Sequence, residues 1–401
     1  MKDTVTFGIV GCGGMGRWHA KILRSIAGTA VGAMADSDAG ACREAARALQ
    51  VPVADSVQAL LDDPAIDVVS ICTPPDTHAA LVERAAAAGK HALVEKPLAL
   101  APDEADRAIE ACRRHGVHLG VVHQQRARSA TRALHALASR GAFGRPRLVS
   151  AVHTWHRAPQ ELERHAWRGR ASSGGGVLLE QAVHAVDLVV WFLGPPLWVA
   201  GAGASAAHAT TGEDTAVATL AFADGALATL AASTTANRMR DDIAIDFSGT
   251  RGGFRLEIRD YDHAEVPRLD LAEDERGRSR ALSPAEIESR IREHGGGWRA
   301  GPRSWPWRAI GSLSGRERGA APFRSLRAFG RRQADRVAQR ERGELQGHAA
   351  VLERMAAAVR GEGEPVVTGI EARVSIEVID AIHRSLRDGG RRVDLGGAGG
   401  A

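Results

Sequence analysis

The chain has 401 residues, 44% of them hydrophobic and 25% charged, a composition that excludes a disordered protein and leaves room for two cores. A formal charge of +4 would suit nucleic acid, but the excess is local. Between Gly296 and Leu345 twelve arginines stand against four acidic residues, so the remainder is net acidic and a nucleic-acid partner is not expected. Four scattered cysteines (Cys12, Cys42, Cys72, Cys112) form no CxxC pair, which argues against a zinc ribbon or disulfide framework and for small buried thiols in a reducing cytoplasm.

The first residues enter a strand pattern at once, without a signal-peptide core, so the expected location is cytoplasmic. Apolar runs at Val5–Val10, Val31–Ala35, Val68–Ile71, His91–Val94 and Val117–Val122, with a shorter one at Val53, alternate with helical patterns such as Ala79–Ala88. This rhythm predicts an α/β domain built on a doubly wound parallel sheet over residues 1–124. After Gln124 the pattern changes. An extended stretch, Arg147–His156, precedes a helix over Val177–Leu193 and strands around Ala216–Phe222, Ala226–Ser233, Ile243–Phe247 and Phe254–Ile258, with Ala223-Asp224-Gly225 as a hairpin turn. Residues 125–401 therefore read as an α+β domain on an open, mostly antiparallel sheet, carrying an Arg-rich insertion over about 262–345. Within it, Ser283-Pro284-Ala285-Glu286 resembles a capping box, Gly295–Gly297 would end that helix, and helices close the chain at Gln346–Arg360 and Ile370–Leu386. The run Leu188–Leu193, bounded by Asp187 and Pro195-Pro196, is too short to span a bilayer.

The first strand runs into Gly11-Cys12-Gly13-Gly14-Met15-Gly16, a G-x-G-x-x-G loop that opens a helix. Backbone N–H groups and the helix dipole there favour a pyrophosphate. Asp36, twenty residues after Gly16 at the end of the second strand, is placed to accept hydrogen bonds from ribose hydroxyls and to repel a 2′-phosphate. NAD is thus expected rather than NADP, although Ser37 beside it could bond a phosphate. Thr73-Pro74-Pro75-Asp76-Thr77-His78 follows the third strand at the carboxyl edge, where it lines the cofactor cleft, with Thr77 or Asp76 capping the next helix.

Glu95-Lys96-Pro97 closes the fourth strand at the same edge. Only four of the 52 basic residues are lysines, so a lysine kept here points to a titratable proton rather than a bare charge. Burial beside the dinucleotide would lower its pKa toward neutrality. A second constellation is Gly174-Gly175-Gly176 followed by an apolar helix carrying Glu180, His184 and Asp187 on one face. Such a stripe either meets a wet cleft or satisfies itself as a structural cluster, and the triple glycine favours close approach of backbone to ligand. No metal site is expected: His153-x-x-His156 falls on a strand, where its rings point apart, and HExxH is absent.

Together these residues resemble the glucose–fructose oxidoreductase, inositol dehydrogenase and rhizopine-catabolism (Gfo/Idh/MocA) oxidoreductases. The resemblance rests on the glycine loop, Thr73-Pro74, Glu95-Lys96-Pro97, Arg126, Trp167-Arg168, the Gly174–Asp187 stretch and Gly369-Ile370-Glu371-Ala372. It implies a Rossmann domain followed by an open-faced second domain, with Lys96, Glu180 and His184 as catalytic positions between them. Gly11, Gly13, Gly14, Met15, Gly16, Asp36, Ser37, Thr73, Pro74, His78, Glu95 and Lys96 would hold NAD. Arg126, Trp155, His156, Arg157, Trp167 and Arg168 would join the catalytic residues in a substrate wall, unless the tryptophans only pack the domain interface. Glu180 stands where the family often has Asp, one methylene shorter. The implied reaction is hydride transfer between NAD and a secondary hydroxyl or ketone of a sugar, cyclitol or polyol in a homo-oligomer, a dimer or tetramer. An NAD-retaining glycoside-cleaving enzyme and a non-catalytic dinucleotide sensor of the same fold are the alternatives.

Overall fold

The computed structural model describes residues 3–205, 210–235, 242–259, 263–272, 279–294 and 347–396. Five parallel strands form the first sheet: β1 (Val5–Val10), β2 (Thr29–Ala35), β3 (Val68–Ile71), β4 (His91–Glu95) and β5 (Leu119–Val122), in the order β2-β1-β3-β4-β5. Helices α1 (Gly14–Leu23), α2 (Ala39–Leu49), α3 (Val57–Asp62), α4 (His78–Ala87) and α5 (Pro102–His115) cover both faces, which is why the strands are near-continuous runs of Val, Ile and Leu. The chain leaves β1 for β2 on one side and returns to β3 on the other. That reversal opens a crevice at the carboxyl ends of β1 and β3, into which the glycine loop, the 73–78 segment and Lys96 emerge. The expected strand at Val53 is a single bridge to Met34; Pro52, with no N–H, precedes it.

The second sheet has the order β13-β12-β11-β10-β6-β9-β8-β7-β14 among the described residues. Its strands are β6 (Pro146–Thr154), β7 (Trp198–Ala204), β8 (Thr215–Ala221), β9 (Leu227–Ser233), β10 (Asp242–Gly249), β11 (Gly252–Arg259), β12 (His263–Ala272), β13 (Ser279–Ala281) and β14 (Val393–Asp394). Every pairing is antiparallel except β6 with β9. The hairpin at Ala223–Gly225 joins β8 to β9 as expected, closed by Phe222 N–H donating to the Ala226 carbonyl at 3.0 Å. Alternation decides which face is buried. Ile243, Ile245 and Phe247 of β10 enter the core, whereas Leu148, Val217 and Leu227 stay exposed on the opposite face.

Against the buried face lies the apolar segment that begins as a π-helical turn, Leu178–Ala182, and continues as α8 (Val183–Leu193). The stretch Ala171–Leu193 is in fact long and apolar enough, by length and composition, to cross a membrane. Its apolarity serves the core instead, since 83% of its most apolar window is buried inside the protein. Helix α6 (Ser129–Ser139) flanks it, α7 (Pro159–Arg164) packs on the 166–169 turn, and neither had a counterpart in the sequence pattern. Helix α9 (Pro284–His294) starts at the expected capping box, with Ser283 N–H donating to Glu286 Oε2 at 2.8 Å. The glycines expected to end it and the stretch Trp298–Arg342 lie outside the described residues.

Two closing helices tie the halves together. In α10 (His348–Val359), Val351, Leu352, Met355 and Ala356 join Ile9, Leu23 and Val122 in the core of the first sheet. In α11 (Gly369–Arg387), Ala372 and Ile376 pack with Val121, while Val378, Ile379 and Ile382 enter the core of the second sheet. A single cut after residue 124 therefore separates the sheets but not the cores, because the C-terminal chain returns to both.

Candidate active site

The glycine loop is shaped by contacts that only glycine allows at two positions. Gly11 has φ +96, and a Cβ there would lie 2.6 Å from the Cys72 carbonyl oxygen; a Cβ on Gly16 would lie 1.8 Å from that of Gly11. Gly13 and Gly14 differ, since a Cβ at either meets nothing within 4 Å. No side chain caps the start of α1, so its first-turn N–H groups face this open space. These features fit a pyrophosphate held by the loop of Gly11, Gly13, Gly14, Met15 and Gly16. Asp36 stands beside it with Oδ2 accepting from Cys12 N–H at 2.5 Å and Oδ1 accepting from Asp38 N–H at 2.9 Å and Ser37 Oγ–H at 3.3 Å. Its carboxylate thus holds the loop.

The 73–78 segment departs from expectation. Neither Thr77 nor Asp76 caps α4; the Thr77 hydroxyl lies 2.7 Å from Thr73 Oγ1 and 2.8 Å from the Pro74 carbonyl instead. His78, expected to line the cofactor cleft, is buried, and its ring nitrogens lie 2.6 and 2.8 Å from the Pro97 and Thr73 carbonyls. It ties the β3 and β4 loops together.

Lys96 emerges from the end of β4, before a cis Lys96–Pro97 peptide, and its ammonium donates to the backbone carbonyl of Glu180 in the π-helical turn. That bond joins the two sheets' site residues at one point. Burial pulls Lys96 down to about 8, opposed by the charges of Glu180 and Glu95. The π-helical turn carrying Glu180 breaks the 3.6-residue period just before α8 begins at Val183, a distortion that recurs at functional sites. Glu180 and Asp187, seven residues apart, have different partners. Glu180 accepts from Arg157 and Arg168, with Gln181 Nε2 at 3.5 Å, and these cations hold its carboxyl below the usual range although burial opposes them. Asp187 belongs elsewhere: Arg126 grips it with Nε at 2.8 Å and Nη2 at 2.7 Å, Ser375 Oγ lies at 3.3 Å and His123 Nδ1 at 3.6 Å.

Arg126 was expected in the substrate wall. It is instead 3% exposed, spans Asp187 and Glu371 (3.1 Å), and lies 5.2 Å over the Trp191 ring. The reason is its long-range partners, which a local pattern cannot reveal. Arg157 and Arg168 do meet at Glu180, each over its own half-buried tryptophan: Arg157 is 5.6 Å from the Trp155 ring and Arg168 4.6 Å from that of Trp167. His156 sits farther along the same edge, bridged to Thr235. A small solvent-open hollow lies against Arg157, Arg168 and Glu180, with Gly176, Glu213 and Thr234 on its other walls. The triple glycine is spent on the protein itself: Gly175 runs against the Arg168 carbonyl, and Gly176 (φ +105) against Glu213, whose carboxylate accepts from Leu178 N–H at 2.9 Å.

His184 is 1% exposed, with the His123 and His153 rings 6.4 and 6.3 Å away. Burial, then the charge of Lys96, pushes its pKa well below the ordinary value and favours the neutral ring. His153 is likewise neutral, pushed to about 3 by burial and Lys96. Neither His123 nor His153 was singled out for this site. The signal for His123 was its place immediately after the last strand of the parallel sheet; His153 faces inward on β6. The sequence led to no metal site. Among the described residues, however, His19, Glu95 and His348 form one group whose donor atoms all lie within 4.8 Å of one another.

Comparison with known proteins agrees with this architecture. The family model GFO_IDH_MocA, described as an oxidoreductase family with an NAD-binding Rossmann fold, matches residues 5–123, and the GFO/IDH/MocA C-terminal domain model matches residues 131–255, together well over half of the chain. UDP-N-acetylglucosamine 3-dehydrogenase of Acidithiobacillus ferrooxidans is 32% identical over 56% of this chain and 66% of its own length. The NAD(+) scyllo-inositol 2-dehydrogenase of Bacillus subtilis is 27% identical over 66% of this chain and 78% of its own. Among solved structures, the WlbA dehydrogenase from Bordetella pertussis, in complex with NADH and UDP-GlcNAcA, superposes with a TM-score of 0.78 at 24% identity, covering 98% of this chain and 99% of that one, a likeness of fold.

Proposed function

The chain belongs to the GFO/IDH/MocA oxidoreductases and carries their NAD-binding Rossmann domain, and from that premise we propose that it interconverts a secondary hydroxyl and a ketone on a sugar, cyclitol or related polyol. The observation that carries this reading is Lys96 of the first domain bonded to the Glu180 carbonyl of the second, beside a neutral buried His184. NAD, when bound by the glycine loop and Asp36, supplies the hydride acceptor or donor. In the oxidative direction His184 takes the hydroxyl proton, and Lys96 donates a hydrogen bond to the same oxygen as alkoxide character develops. The two roles can be exchanged, since both groups suit proton transfer. Arg157 and Arg168, locked by Glu180 and flanked by Trp155 and Trp167, supply donors and apolar faces for a hydroxyl-rich substrate in the adjoining hollow. The relatives named above act on a sugar nucleotide and an inositol, which supports this substrate class.

The test is a panel of sugars and inositols with NAD⁺, followed by Lys96→Ala and His184→Ala on the best substrate. Each variant is expected to lose about 10²–10⁴-fold in kcat while NAD⁺ binding persists. Near-normal turnover in both would refute the assignment, and product formed without equivalent NADH would point to the NAD-retaining alternative.

A further inference from the structure

One cluster of ligating side chains lies outside the hydride-transfer groups. His19 sits on α1, three residues after Gly16, and is fully buried. Its Nδ1 lies 2.8 Å from Ser70 Oγ on β3 and 3.4 Å from Cys72 Sγ, and its Nε2 lies 3.1 Å from Glu95 Oε1. Although burial opposes it, the thiol and carboxylate push the ring up to about 10, so a metal ion must displace its proton. His348, the first residue of α10, brings its Nε2 to 3.7 Å from the same carboxylate oxygen, with its ring 5.9 Å from that of His19.

The 3.7 Å separation is the informative one, since it is too long for a hydrogen bond. Bond lengths of about 2.0–2.2 Å to imidazole nitrogen and carboxylate oxygen in a tetrahedral site put neighbouring donors about 3.3–3.5 Å apart, and the two separations at Glu95 bracket that figure. The Ser70 contact is the kind of outer partner that fixes a ligating histidine's tautomer and orientation. Two imidazoles and one carboxylate suit a borderline divalent ion; magnesium and calcium call for many more oxygens.

We propose that His19, Glu95 and His348 bind one divalent transition-metal ion of the Zn²⁺ class, through both Nε2 atoms and a Glu95 carboxylate oxygen, with water completing the tetrahedron. The ion joins three segments distant in sequence: the helix that follows the glycine loop, the strand end beside Lys96, and the helix by which the C-terminal chain returns to the first domain. Its role is that of a staple for α10, and it stands whether or not the hydride-transfer reading does.

The test uses the full-length protein, stripped with chelator and titrated with Co²⁺ and separately with Zn²⁺. Wild type should take up one ion per chain, show visible Co²⁺ bands of tetrahedral intensity, and melt at a higher temperature with Zn²⁺ than with chelator. His348→Gln, at a partly exposed helix start, should lose both the uptake and the melting shift. X-ray absorption of the loaded wild type should show two imidazoles in the inner shell, a result that does not depend on the variant's folding. No uptake by wild type, uptake undiminished by His348→Gln, or an inner shell without imidazole would each overturn the site.

Discussion

Two carboxylates seven residues apart on one apolar segment, Glu180 and Asp187, are both buried and both held by arginine, yet they do different work. Asp187 faces Arg126, Ser375 and His123 in a sealed interior, and Arg126 passes on to Glu371 at the start of α11. Glu180 sits in the π-helical turn with Arg157 and Arg168 beside a hollow, and its backbone carbonyl receives Lys96 from the other domain. The first pair, through Arg126, joins α8 to α11; the second lies against the open hollow. The lesson is that an ion pair's chemistry is set by what lies on its far side rather than by its own geometry.

The contrast can be broken most sharply at Arg126. Arg126→Met strands a buried Asp187 and should cost about 3–5 kcal/mol in urea unfolding, with kcat of the remaining folded enzyme little changed. A variant of normal stability and poor turnover would return Arg126 to the substrate wall. Glu180→Gln should do the reverse, lowering kcat/KM by roughly 10- to 100-fold through misplaced arginines while destabilising by only about 1–2 kcal/mol, because the hollow admits water. Equal losses of stability from both substitutions would erase the distinction. The smallest effect concerns the capping box that receives Arg126. The Thr368 hydroxyl donates to Glu371 Oε2 at 2.9 Å and accepts from Glu371 N–H at 3.4 Å, so Thr368→Ala should cost about 1 kcal/mol with no change in turnover, measured by thermal and urea denaturation.

How far the sequence revealed this follows from the range over which each feature is specified. The glycine loop, Asp36 and the Glu95-Lys96-Pro97 strand end were legible because backbone sterics and strand order act locally. The alternation of β6 and β8–β11 was legible for the same reason, whereas β7, with its Trp-Val-Ala-Gly-Ala-Gly-Ala sequence, was not. Its glycines give close approach to neighbours: a Cβ on Gly201 would lie 2.8 Å from the Val217 carbonyl oxygen, and one on Gly203 2.5 Å from the Leu386 side chain of α11. That Glu180 and Asp187 have different partners was not legible, because the arginines that hold them come from other segments of the chain. The partners of Arg126 and His78 were not legible: Asp187 and Glu371 hold the arginine across the chain, and the Thr73 and Pro97 carbonyls hold the histidine. His348 escaped notice altogether, for only the return of α10 to the first domain brings it to Glu95.

The central claim is that Lys96 and His184 act on one substrate oxygen, and a double-mutant cycle in kcat/KM tests it most directly. If they share that oxygen, the Lys96→Ala, His184→Ala double variant should lose scarcely more activity than the worse single variant. Losses that multiply as independent factors would mean that the two groups serve separate sites and would contradict the account.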